Sequence, residues 1–116
     1  FLFRLMAVVN QYKFAGLNAN TDNTEKNPFG SGNPLVSETY LIKSIIVKSA
    51  GTPTPTVTND GVVVIQSAAL VANQSKELLT QPLIVEGGKT LTIKAGSADA
   101  FTFGVSYLNI KKEVTT

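Results

Sequence analysis

Pro82-Leu83-Ile84-Val85-Glu86-Gly87-Gly88-Lys89-Thr90-Leu91-Thr92-Ile93-Lys94-Ala95 is the stretch whose reading decides the fold. From Thr90 onward Leu91, Ile93 and Ala95 fall on one side and Thr90, Thr92 and Lys94 on the other, the period of two that belongs to a half-buried strand. Glu86-Gly87-Gly88-Lys89 reads as a hairpin-like turn ahead of it. Downstream, Gly96-Ser97-Ala98-Asp99 turns the chain again. Phe101, Phe103, Val105 and Tyr107 then share a face, but Leu108 and Ile110 have the opposite parity, so either a bulge near Ser106 or burial on both sides is expected.

Upstream of Pro82, residues 39–48 (TYLIKSIIVK) are rich in β-branched and aromatic side chains and end near Gly51, which predicts a strand. Thr52-Pro53-Thr54-Pro55 lacks the N–H donors of a central strand and reads as a turn or an edge. Asn59-Asp60-Gly61 signals a tight turn, and Val62-Val63-Val64-Ile65 after it is apolar on both parities. Strict alternation pairs Val63 with Ile65 and Val62 with Val64. Residues 67–80 (SAALVANQSKELLT) admit a helical reading, with Ala68, Leu70, Val71, Leu78 and Leu79 on one stripe. Short strands spaced by Gly, Pro and Asn-Asp turns predict an all-β fold, an antiparallel β-sandwich of jelly-roll or Ig-like type over residues 35–116.

Residues 1–34 read as an extended N-terminal arm. Residues 1–14 alternate loosely and suit a strand added to a sheet edge. Residues 16–34 hold five Asn, three Gly and two Pro, with Leu17 and Phe29 as the large apolar side chains. The opening FLFRLMAVV is not read as a signal peptide, because Arg4 interrupts it and no small-residue cleavage site follows.

At 116 residues the chain is of single-domain size. It has no Cys, His or Trp, which removes thiol nucleophiles, disulfides, imidazole bases and Cys/His metal sites. Charged residues make up 16% and the net charge is +2, too little for the field that nucleic-acid binders use. Mean hydropathy is +0.14, and no run of about 20 apolar residues spans a bilayer. Neither nucleic acid nor membrane is expected as a partner, and no cofactor is expected.

Taken in order, YLIKSIIVKSAG, VVVIQ and ALVANQSKELLTQPLIVEGGKTLTIKAGSADAFTFGVSYLNI resemble small β-sandwich proteins of tailed bacteriophage virions, over residues 40–110. The resemblance implies strands in place of a helix over residues 69–79. It also implies a structural role in the virion as a capsid decoration (cement) protein or as a neck, tail or fibre component. Its location would be the virion, assembled in the host cytoplasm. Implied partners are major capsid, tail or neck proteins.

Eight carboxylates (Asp22, Glu25, Glu38, Asp60, Glu77, Glu86, Asp99 and Glu113) are the conceivable acids or bases. Asp60, Glu86 and Asp99 fall in apparent turns, where Asp bonds its own backbone, so no catalysis is expected. Asn59 with Asp60, and Asp22 with Asn20 and Asn23, lack the spacing of a calcium loop. Tyr12, Tyr40 and Tyr107 with Thr80-Gln81 would line a groove for host-surface glycans in the alternative reading. The surplus of apolar faces instead points to assembly as a homo-oligomer, a trimer, pentamer or hexamer. Its expected interface comprises Phe3, Leu5, Val8, Tyr12, Phe14, Leu17 and Phe29, spaced as anchors along the arm, together with Val63 and Ile65.

Overall fold

The structure is a computed structural model that describes residues 5–19, 23–30, 34–96 and 101–115. Its elements in chain order are β1 (Leu5–Ala19), β2 (Glu38–Ser49), β3 (Thr56–Asn59), β4 (Val62–Gln66), β5 (Lys76–Glu77), β6 (Leu83–Val85), β7 (Leu91–Lys94) and β8 (Phe101–Thr115). There is no helix among the described residues. One sheet runs β1-β8-β2, with β5 and β6 both pairing the far side of β2. The second runs β4-β3-β7, and every pairing is antiparallel. The fold is an all-β antiparallel sandwich.

Alternation decides which face of each strand is inside. On β8, Phe101, Phe103, Val105, Tyr107 and Asn109 are all buried. On β2 the buried side chains are Glu38, Tyr40, Ile42, Ile45, Val47 and Ser49, a set that changes parity between Ile42 and Ile45. The change is a β-bulge: Ile42 faces Tyr107 and Ser44 faces Ser106, which leaves Lys43 as the extra residue. The bulge expected near Ser106 therefore sits on the neighbouring strand, and β8 itself pairs β1 residue for residue through Ser106. Val57, Leu91 and Ile93 of the second sheet close the core from the other side.

The helical reading of residues 67–80 does not hold, because their backbone donors go sideways. Ser67 and Leu70 donate to the carbonyls of Pro55 and Pro53 at 2.9 and 2.8 Å, Asn73 to Ser49 at 2.7 Å, and Leu78 to Ile45 at 2.8 Å. Asn73 also takes a left-handed conformation (φ 61°) that interrupts any helix. Leu70 and Leu78 each reach the core from this irregular path. The prolines of 52–55, both buried, thus act as acceptors at the crossing between the sheets.

Asp60 and Gly61, with φ 52° and 77°, make the tight β3–β4 turn that Asn59-Asp60-Gly61 predicts. β4 carries a second bulge, since Val57 faces Ile65 while Thr58 faces Val63. Val64 is the extra residue, so Val63 and Ile65 lie on opposite faces. Strict alternation had paired them.

Candidate functional site

The sheet face turned away from the core carries an apolar row that crosses four strands. Tyr12 of β1 stands opposite Leu108 of β8, Leu108 opposite Leu41 of β2, and Leu41 opposite Ile84 of β6. Directly opposed residues share a face, so these side chains lie together on the outer surface. Tyr12 and Phe14 are 80% and 71% exposed. β1 is an edge strand, paired to β8 on one side.

Phe14 does not simply project into solvent. Gly16 and Gly104 stand opposite each other in the β1–β8 ladder, and the Phe14 ring covers both. A Cβ at Gly104 would come within 2.7 Å of the ring, and one at Gly16 within 2.9 Å. The glycine pair lets the ring lie close to the sheet and leaves a trough beside it. An open groove of about 540 Å³ results, lined by Phe14, Gly16, Ile46, Lys48 and Gly104 among others.

The remaining interface candidates separate. Phe29 is half-buried inside the chain, its ring 4.8 Å from that of Tyr40 and 4.9 Å from that of Tyr107, both edge-on. Ile65 packs against the core cluster, whereas Val62, Val63 and Val64 are exposed along the free edge of the smaller sheet. Leu5, Val8 and Leu17 belong to β1 by their backbone, with side chains outside the described set, and Phe3 lies outside the described residues. The structure leaves Tyr12 and Phe14 exposed on the outer face, and the glycine pair beneath Phe14 has no signal in the sequence because it joins residues 88 positions apart.

The polar groups are engaged in holding the fold. Glu77 accepts hydrogen bonds from the Ser44 hydroxyl, the Ile45 N–H at 2.7 Å and the Leu79 N–H at 3.2 Å, clamping the bulge. Glu38 is buried and accepts from Asn109 Nδ2 and the Leu35 N–H, both at 2.9 Å. The Asn109 amide first, then the Leu35 N–H, holds this carboxyl below the ordinary range, against the opposing effect of burial. Burial pushes the hydroxyls of Tyr40 and Tyr107 up, with a further contribution from Glu38. These two tyrosines are therefore core groups, and of the three only Tyr12 offers its ring to a ligand.

Asp60 faces Lys89 at 3.6 Å. Among the described residues no three carboxylates gather where they would hold a metal ion. Asp22 and Asp99 lie outside the described residues.

No protein-family model matches the chain, and no characterised protein matches it in sequence. Among solved structures it is similar in fold to a chain of the acidic stable capsid structure of Helicobacter pylori bacteriophage KHP30, at a TM-score of 0.52 and 10% identity. The match covers 97% of this chain and 99% of that one, so the two share an architecture from end to end.

Proposed function

We propose that the chain is a structural protein of a tailed-bacteriophage virion, acting as a capsid decoration (cement) protein and not as an enzyme. The observation that carries this reading is the end-to-end fold match to a chain of a phage capsid. The outward apolar row and the free edge of β1 support it, because a role in assembly accounts for both. Binding then proceeds by strand addition along β1 and by burial of the outer face, at ~25 cal/mol per Å² of apolar area removed from water. In this reading the anchoring part of residues 1–34 is the outer edge of β1, since Phe29 packs inside the chain. Glu38, Glu77 and Asp60 fit a non-catalytic role, since Glu38 and Glu77 accept from backbone donors and Asp60 faces Lys89.

The test is to add purified protein to phage particles that lack it and to locate and count the bound copies. Hundreds of copies on the shell are expected. Copies confined to a neck, tail or fibre, or a defined sugar preference on a glycan array, would replace the cement reading.

A further inference from the structure

The loop that enters β2 places two apolar side chains in water on a hydrogen-bonded backbone. Leu35 is 61% and Val36 92% exposed, yet the described residues Pro34, Leu35 and Glu38 are hydrogen-bonded. Pro34 is fully buried, and its carbonyl accepts from the Gly88 N–H at 2.8 Å. The Leu35 N–H donates to Glu38 Oε1 at 2.9 Å, and the Glu38 N–H returns to the Leu35 carbonyl at 2.8 Å. Beneath the tip, Gly87 leaves no space for a side chain: a Cβ there would stand 2.6 Å from the Val36 carbonyl oxygen. Such a tip has already lost the freedom that association usually costs, and this preorganisation favours binding.

The same chain carries an apolar receptor for it. The groove beside Phe14 is floored by the Gly16–Gly104 pair and walled by Ile46, itself 47% exposed. Tip and groove lie at opposite ends of β2, separated by about 25 Å at a strand's rise of ~3.3 Å per residue, so a chain cannot fill its own groove. Lys48 borders the groove, and in the turn on which the tip rests Lys89 is paired with Asp60, which leaves the exposed Glu86 as the charge there that complements Lys48.

We infer that the Leu35, Val36 tip of one copy seats in the Phe14, Ile46 groove of a second copy of this chain. The inference deepens the assembly role proposed above by naming one of its partners. Head-to-tail seating gives a ring where the rotation closes and an open filament where it does not, and reciprocal seating gives a twofold dimer.

The experiment is sedimentation of the purified full-length chain over a concentration series, without particles. Self-association is expected. Val36→Asp and Ile46→Lys should each raise the dissociation constant tenfold or more; Val36→Asp should leave the melting temperature unchanged because Val36 is 92% exposed, and Ile46→Lys, at a half-buried strand position, should keep a cooperative thermal transition. Mixing Val36→Glu protein with Ile46→Lys protein should restore association that neither shows alone. A chain that stays monomeric throughout, or a Val36→Asp variant that associates like the parent, overturns the inference. So does a Val36→Asp variant that loses only its binding to particles, because the tip would then belong to a shell protein. Association that responds to both variants in a protein that never binds particles would instead retain the inference and remove the virion role.

Discussion

β2 and β8 lie side by side, and each carries apolar residues on both parities, but they resolve the conflict differently. β8 runs straight, keeps Phe101, Phe103, Val105 and Tyr107 inside, and turns Leu108 outward into the row with Tyr12, Leu41 and Ile84. β2 inserts Lys43, brings both Ile42 and Ile45 inside, and leaves Ile46 outside. The difference is enforced from outside the strand. Glu77 gathers Ser44 Oγ and the Ile45 N–H at the bulge, whereas β8 is held in one-to-one register by β1 along its whole length. A parity switch in a sequence thus has two physical solutions, and a distant partner selects between them.

Deleting Lys43 attacks this comparison most directly. Without the extra residue, either Glu38, Tyr40 and Ile42 or Ile45, Val47 and Ser49 must turn to the outer face. Exposing such a set costs several kcal/mol, comparable with the whole stability of a domain of this size. The variant should show no cooperative thermal transition by circular dichroism and no dispersed amide spectrum. A cooperative melt near that of the parent would show that the bulge does not set the register.

Phe29→Ala tests where the two strands meet. Its ring sits edge-on to Tyr40 of β2 and Tyr107 of β8, and its removal should cost about 3 kcal/mol in denaturant unfolding. A change below about 0.5 kcal/mol would mean that Phe29 is a free anchor, as its surroundings in sequence suggest. Glu77→Ala should cost less, about 1 to 2 kcal/mol, since it frees the bulge donors to find water. Its signature is local: hydrogen exchange should accelerate at Ile45 and Leu79 before it does along β8.

The strand content of the sandwich was legible because alternation is a local signal, clear in residues 90–95 and 101–107. The Asp60–Gly61 turn was legible for the same reason. Pairing was not, because it joins residues far apart. Phe29 stands in an Asn-, Gly- and Pro-rich stretch that reads as an arm, yet its binding site is made by Tyr40 and Tyr107. Leu70 and Leu78 suit a helical stripe, and backbone bonds to Pro53 and Ile45 override that local preference. On the outer surface, Tyr12 and Phe14 could be singled out in the sequence, and both are exposed. The tip at Leu35 and Val36 could not, since nothing in Asn33-Pro34-Leu35-Val36 announces that Gly87 and Gly88 hold it from below.

The smallest effect expected is a pH dependence at the buried start of β2. Glu38 bridges the two strands of the comparison, accepting from Asn109 on β8 and from the Leu35 N–H ahead of β2. These bonds, chiefly that of Asn109, lower its carboxyl in the folded state, with Lys111 and Lys13 adding to the effect. The folded protein therefore binds the proton less readily than the unfolded chain. The stabilisation is complete above the ordinary glutamate range and is lost as pH falls through that range toward the lowered folded value. In Glu38→Gln the introduced amide keeps an oxygen for Asn109 Nδ2, and its NH₂ can donate to the buried, unpartnered Asn109 Oδ1. What goes is the charge-assisted bond from Leu35, so the variant should lose about 1 kcal/mol at neutral pH and almost nothing at pH values where Glu38 is protonated. Urea midpoints measured across pH should accordingly converge for parent and variant as acid is added. A constant gap between the two curves would place the origin of the acid sensitivity in another carboxylate.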